Sequence, residues 1–302
     1  MNNKKRFSIG CDIGGSHISC GIVDVASGYI EENSLVSVKV DNSSKSEVII
    51  KAWTEAIELC MKQLPEEGEF FGIGIAIPGP FDYENGIGLY DNSNQKFEYL
   101  KDVNLRMELS EKLKLPTKKI KFINDATAFA LGSFWYGSGK GYNKTVTITL
   151  GTGFGSSFIN DGKAIEEGPS VPDSGCLWHI PYKNGIADDY FSTRWFVEKY
   201  NDSYNAKVEG VREIAEKAKQ GDINAKGLFN LFGENLADCL SPHLKNFEAE
   251  VVILGGNIAE AFNLFEPSLL KNLQIRNVKI DIKVSKLKES AAMLGAAALF
   301  KK

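Results

Sequence analysis

Short apolar runs rich in Ile, Val and Phe alternate along this chain with stretches of helical period, and glycine-bearing turns stand between many of them. Phe7–Asp12 and Ile18–Asp24 read as strands joined by the turn Ile13-Gly14-Gly15-Ser16-His17, which makes a hairpin. After Ala26-Ser27-Gly28, Tyr29–Val38 is a third extended run. From Lys45 to Leu64 the apolar Val48, Ile49, Trp53, Ala56, Ile57, Cys60 and Leu64 recur at helical spacing, with Lys51, Glu55, Glu58 and Lys62 on the wet side, and Pro65 ends the helix. Phe70–Ile77 is almost wholly apolar, as expected of a strand buried on both faces, and stops at Pro78-Gly79-Pro80. Tyr83–Leu100 has no clear period and reads as a long loop bordering a ligand. Asn104 is a candidate cap for a helix over Leu105–Leu113, closed by Pro116. A short strand, Ile120–Ile123, then runs through Asn124-Asp125 into a helix over Ala126–Trp135.

The second half begins like the first. Thr145–Leu150 is a strand, Gly151-Thr152-Gly153-Phe154-Gly155 a glycine turn, Ser156–Asn160 a return strand, and Asp161-Gly162 a hairpin turn. Beside Ile9–Ser27 this is a weak internal repeat, with two unrelated but similar hairpins as the competing reading. Gly162–Gly185 is irregular. Helical patterns follow at Asp188–Tyr200, Val211–Gln220 and Ile223–Phe247, the last expected to kink or split at Pro242. Val251–Leu254 is a buried strand ending in Gly255-Gly256-Asn257; Ile258–Phe265 reads as a short helix, Val278–Val284 as a strand and Ala291–Phe300 as an Ala-rich helix.

Length and composition narrow the class. A chain of 302 residues has room for two cores, and 43% hydrophobic with 25% charged residues is the profile of a soluble globular protein. A formal net charge of -4 gives no broad electrostatic reason to bind nucleic acid or acidic membranes. No apolar segment of signal length follows Met1–Arg6, and no run reaches the roughly 18 apolar residues of a membrane span, so a cytoplasmic location is expected. Cys11, Cys20, Cys60, Cys176 and Cys239 are scattered and odd in number, as free thiols in a reducing compartment would be.

Asp125 is the candidate catalytic base. It falls at a strand-to-helix turn, where a carboxylate reaches whatever binds at the strand's carboxyl edge; the plainer alternative is that it only caps the helix. Three glycine turns follow strands, at Asp12-Ile13-Gly14-Gly15-Ser16, Gly151-Thr152-Gly153-Phe154-Gly155 and Gly255-Gly256-Asn257. Glycine lets backbone N–H groups approach a phosphate, and a nearby hydroxyl adds a donor. Asp12 suits a metal escorting a nucleotide, most simply through water. None of the turns is a Walker A loop or a dinucleotide fingerprint.

Taken together, Asp12-Ile13-Gly14-Gly15-Ser16, Pro78-Gly79-Pro80, Asn124-Asp125-Ala126, Leu150-Gly151-Thr152-Gly153-Phe154-Gly155, Leu254-Gly255-Gly256-Asn257 and the Ala291–Ala298 segment resemble, in order and over nearly the whole chain, the sugar kinases of the ROK family within the actin-like and hexokinase-like ATPases. The resemblance implies an α/β, duplicated ribonuclease-H-like fold of two domains with ATP in the cleft between them. The expected division is 1–123, completed by the helix 290–302, and 124–289. It further implies that Asp12, Gly14, Gly15 and Ser16 with Gly151, Thr152, Gly153 and Gly155 hold Mg2+ and phosphates, and that Gly255, Gly256 and Asn257 lie beside the adenosine. Gly79, Asn124, Asp125, His179 and Asp188 are then the sugar-side residues. The family's habit points to a homodimer.

The chain departs from the family on the sugar side. Where members carry Glu-x-Gly-His and then a zinc-binding cysteine cluster, this chain reads Cys176-Leu177-Trp178-His179 and Gly185-Ile186-Ala187-Asp188. Cys176 stands for the Glu, with Asp173 as a possible substitute carboxylate, and Asp188 is the second acid. Two ligands do not make a structural zinc site, so none is expected. The reading is an ATP-dependent, glucokinase-like hexose kinase acting at C6, with fructose, mannose or an N-acetylhexosamine as alternative acceptors, polyphosphate as another donor, and a sugar-binding regulator or sensor of little turnover as the rival. Family repressors place a helix-turn-helix ahead of this region, and about six residues are too few for one.

Overall fold

The computed structural model describes residues 5–90 and 97–301; the middle of the loop expected over Tyr83–Leu100 lies outside them, as do residues 1–4. The chain divides into two compact units, one running to Gly137 and resuming at Glu289, the other Ser138–Lys288.

In the first unit the order is β1 (Arg6–Ile13), β2 (His17–Asp24), β3 (Tyr29–Ile30), β4 (Val36–Lys39), α1 (Ser46–Met61), β5 (Glu69–Ile77), β6 (Phe81–Asp82), β7 (Ile87–Gly88), α2 (Leu105–Leu113), β8 (Ile120–Asn124) and α3 (Asp125–Tyr136). The main sheet runs β3-β2-β1-β5-β8, with β4 also on β2. β1 and β2 form the antiparallel hairpin, while β1, β5 and β8 are parallel. The expected third run is two short strands, because Ser34 interrupts it: its hydroxyl accepts from Ile22 N–H at 2.9 Å and donates to Glu31 C=O at 2.6 Å. Asn104 caps α2, accepting from Met107 N–H at 3.0 Å.

Alternation along the strands sorts large from small. Ile9, Cys11, Ile13, Ile73, Ile75 and Ile77 join Ile49, Trp53 and Ile57 of α1 and Leu105 and Leu109 of α2 in one core. The opposite face carries Gly10, Gly74 and Ala76, and there α3 and the closing helix Ser290–Ala297 pack through Ala128, Ala292 and Ala296. The approach is close enough that a Cβ at Gly10 or Gly74 would run into the backbone carbonyls of Met293 or Ala296. Gly132 and Gly295 let α3 and the closing helix meet backbone to backbone. That packing keeps all of α3 in the first unit, so the division falls at Gly137 rather than at the Asn124-Asp125 turn.

The second unit contains β9 (Lys144–Leu150), β10 (Phe154–Asn160), β11 (Lys163–Ala164), β12 (Pro181–Tyr182), β13 (Gly185–Ile186), α4 (Ala187–Tyr190), α5 (Thr193–Tyr204), α6 (Val211–Lys219), α7 (Ile223–Phe247), β14 (Val251–Gly255), α8 (Phe262–Ile275) and β15 (Asp281–Val284). Its sheet, β11-β10-β9-β14-β15, repeats the first: β9 and β10 are antiparallel, and β9, β14 and β15 are parallel. The Asp161-Gly162 turn has positive φ at both residues (49° and 75°), the geometry that matches a two-residue hairpin to strand twist. The helix expected from Asp188 begins at Ala187 and is broken at Phe191-Ser192 into α4 and α5. α7 is continuous through Pro242, held by buried Cys239, Leu240, Leu244 and Phe247 around it. The helix expected over Ile258–Phe265 is a 3₁₀ turn, Asn257–Ala261, that passes into α8. Among the described residues no helix is long and apolar enough to cross a membrane.

Candidate functional site

In the first unit the strand ends and helix starts gather the chemistry. Asp12 is the next-to-last residue of β1 and alternates onto the face shared by α3 and the closing helix. Asp125 begins α3 and Glu289 immediately precedes the closing helix, so both bring charge to that face. The Asp12 carboxyl is accordingly pushed up to about 7, first by burial and then by the negative charges of Asp125 and Glu289.

The cap of α3 is Asn124. Its Oδ1 accepts from Ala126 N–H at 3.0 Å and Thr127 N–H at 3.2 Å, and its amide Nδ2 donates to Tyr83 Oη at 3.1 Å. Asp125 holds the first helical position, half-buried, with Oδ1 accepting from Ala126 N–H at 2.9 Å. The helix start therefore does not depend on Asp125 alone. Two tyrosines that sequence reasoning did not single out line this corner: Tyr83 Oη donates to Ile77 C=O at 3.2 Å and Tyr90 Oη to Pro78 C=O at 2.8 Å. The Tyr90 hydroxyl is pushed up by burial and by Tyr83 and Asp125. Both tyrosines hang on the Ile77–Gly79 segment, and Gly79 itself is exposed, joined to Pro80 by a cis peptide. At the hairpin tip Gly15 and Ser16 are exposed, and Gly14 N–H donates to His17 C=O at 3.0 Å.

The second unit brings its own two glycine turns together. β9 and β14 are neighbours, so the Gly151–Gly155 turn and Gly255-Gly256-Asn257 leave the sheet side by side. Gly256 has φ 81° and lies so close to Leu150 that a Cβ would run into its carbonyl. Thr152, Gly153, Gly256 and Asn257 are exposed.

Asp188, the expected second sugar acid, lies against the glycine turn: Oδ1 accepts from Phe154 N–H at 2.7 Å and Oδ2 is 3.5 Å from Arg194 Nη2. His179 Nδ1 is 3.6 Å from Cys176 Sγ, and its ring meets Trp178 edge-on at 5.2 Å. Trp178 is 50% exposed. Leu177 N–H donates to Ser156 Oγ at 2.7 Å, which ties this segment to β10. The Cys176 thiol is pushed up by burial, with Glu166 and Asp173 adding to the rise and Trp178 opposing it. Asp173 accepts from the Cys176 thiol through its backbone carbonyl, and Glu166, not foreseen, adds its charge to that of Asp173 on the thiol. Among the described residues no group of three or more His, Cys, Asp or Glu is arranged to hold a metal.

A hairpin followed by two parallel strands, twice over, with a glycine turn after the first strand of each, is the duplicated ribonuclease-H-like arrangement of the actin-like ATPases. The solved glucokinase from Streptomyces griseus, in complex with glucose and AMPPNP, superposes with a TM-score of 0.74 at 23% identity, covering 97% of this chain and 98% of that one. A glucokinase of Thermotoga maritima is 30% identical over 97% of this chain and 96% of its own length. An N-acetyl-D-glucosamine kinase of Haemophilus influenzae is 26% identical over 96% and 98%. The ROK family model matches residues 8–302, and the chain belongs to that family.

Proposed function

We propose that the protein is an ATP-dependent sugar kinase that transfers the γ-phosphoryl group of ATP to a hexose hydroxyl, at C6, with Asp125 as general base. The observation that carries the reading is the pairing of Asn124, which does the capping, with Asp125, a carboxylate at the first helical position whose charge reaches Asp12. The glucokinase and N-acetyl-D-glucosamine kinase relatives support a hexose or N-acetylhexosamine acceptor.

In this reading the first unit supplies the base, the carboxylate Asp12 and the donors of Gly14, Gly15 and Ser16, with Gly79 and Asn124 flanking the acceptor. The second unit supplies Gly151, Thr152, Gly153 and Gly155 to the phosphates, Gly255, Gly256 and Asn257 to the adenosine, and His179 to the sugar. A divalent cation fits beside Asp12, because a carboxyl pushed up to about 7 by burial and two neighbouring acids is relieved by positive charge. Mg2+ held there through water would neutralise phosphate charge when bound. Phosphoryl transfer leaves the protein mainly positioning and electrostatics, with the base contributing about 10²–10⁴-fold.

The test is ADP release from Mg-ATP over a panel of hexoses, wild type against Asp125→Ala. Activity on one sugar that drops by about 10²–10⁴-fold in the variant, with nucleotide affinity changed little, is the expected result. Undiminished turnover in the variant would remove Asp125 from the role. The Cys176–His179 segment favours one second reading, a sugar sensor with little turnover, because a thiol cannot accept two hydroxyl hydrogen bonds as a carboxylate does. Hexose binding in calorimetry without ADP release on any sugar is its signature.

A further inference from the structure

We infer that residues 188–193, from α4 to the first residue of α5, clamp the Gly151–Gly155 turn in the shape that receives phosphate, with Asp188 as a positioning residue for the nucleotide; the inference rests on the kinase reading of that turn.

A turn with three glycines in five residues has little conformational preference of its own, so its shape must be imposed from outside. Three residues of 188–193 impose it: Thr193, Asp188 and Phe191. Thr193 donates twice to the Gly151 carbonyl, from its N–H at 2.8 Å and from Oγ1 at 2.9 Å. Gly151 N–H closes the turn on Gly153 C=O at 3.1 Å. At the other end Asp188 Oδ1 accepts from Phe154 N–H at 2.7 Å, a charge-assisted bond. Between these two points the Phe191 ring packs on Phe154 with centroids 5.0 Å apart, both residues buried. The tip, Thr152 and Gly153, stays exposed.

Residue 153 is glycine for the same reason. A Cβ there would lie 3.0 Å from Asp188 Oδ1, in the space the carboxylate uses to reach Phe154 N–H. Asp188 also donates its own N–H to the Trp178 carbonyl at 3.0 Å. One residue thus ties the phosphate turn to the Trp178–His179 segment, and its Oδ1 is already engaged by the protein.

The experiment measures Mg-AMPPNP affinity without sugar by calorimetry, and sugar KM at saturating ATP, for Asp188→Ala, Asp188→Asn and Thr193→Val. Amide exchange of residues 151–155 is followed in the ligand-free proteins. Asn keeps an acceptor oxygen for Phe154 N–H, so Asp188→Asn should hold nucleotide affinity within about threefold while Asp188→Ala loses about tenfold, with faster exchange at Phe154. Thr193→Val, which keeps the N–H donor, should lose about two- to fivefold. Wild-type affinity and exchange in Asp188→Ala would overturn the clamp, and so would an Asp188→Asn enzyme that loses nucleotide affinity as fully as Asp188→Ala. If Asp188→Ala does not fold, Thr193→Val decides: weakened nucleotide binding supports the clamp and unchanged binding overturns it. A wild-type protein that binds no Mg-AMPPNP would instead bring down the kinase reading itself.

Discussion

The two units build the same strand–glycine turn–strand and charge it differently. In the first, the residue two before the glycine is Asp12, a carboxylate on the face where α3 and the closing helix bring Asp125 and Glu289. In the second, the matching position of β9 is Thr149, and the acid near the turn, Asp188, arrives from 34 residues further on and spends one oxygen on the turn's own backbone. The same backbone plan therefore gives a half that concentrates negative charge and a half that presents amide groups. The difference comes from one position in the strand and from what the flanking helices carry.

The sharpest way to break this comparison is Asp12→Asn. Turnover should fall by at least about a hundredfold, as for loss of a group that organises the transferring phosphate. Stability should move the other way. The folded-state pKa of Asp12, about 7, lies above the ordinary value of 3.8, so between those pH values the unfolded chain has already released a proton that the folded chain keeps. Wild-type stability therefore declines as pH rises from about 4 to 7 and levels off above. The Asn variant lacks that decline and should be more stable at pH 8 by on the order of 2–4 kcal/mol. Denaturant melts of the two proteins across this pH range check it; a variant less stable at pH 8 would contradict the picture of Asp12 as a strained acid.

Glycines separate packing from ligand chemistry. Gly295→Ala drives a methyl into the Ala128 carbonyl and should cost about 3 kcal/mol or more by thermal or denaturant unfolding. Gly151→Ala meets open space and should change stability by less than about 1 kcal/mol. A fall in ATP use by the Gly151 variant, with its melt intact, would then be due to the ligand's need for close approach. The smallest effect is expected from Cys176→Glu, which restores a double acceptor beside His179 and should lower KM several-fold for a sugar with two adjacent hydroxyls at that edge; an unchanged ranking of sugars would take Cys176 out of recognition.

Much of the fold was legible because its signals are local. Ile73-Gly74-Ile75-Ala76-Ile77 spells a strand with one large and one small face, Asn104 announces α2, and Asp161-Gly162 announces a hairpin. Pro242 misled because packing outweighed it: α7 runs through it with Cys239, Leu240, Leu244 and Phe247 buried around it. At the candidate site, Asp125 and the glycine turns stood out by following strands, and Asp12 by standing at the end of one. Glu289, Tyr83, Tyr90 and Thr193 did not, since nothing in their own neighbourhood marks them.

The sequence by itself determined the order of strands, turns and helices, the doubling of the plan and the presence of acids at strand ends, since periodicity, capping and turn chemistry act over a few residues. Only the tertiary structure decided which charges share a face and which carboxylate is spent on holding a turn. Asp12 feels the charge of Glu289 because the closing helix returns across β1 and β5, and Asp188 meets Phe154 because α4 folds back on the β9–β10 hairpin. Electrostatic coupling and hydrogen bonding depend on distance in space, which residues so far apart in the chain acquire only when the sheets and helices have packed.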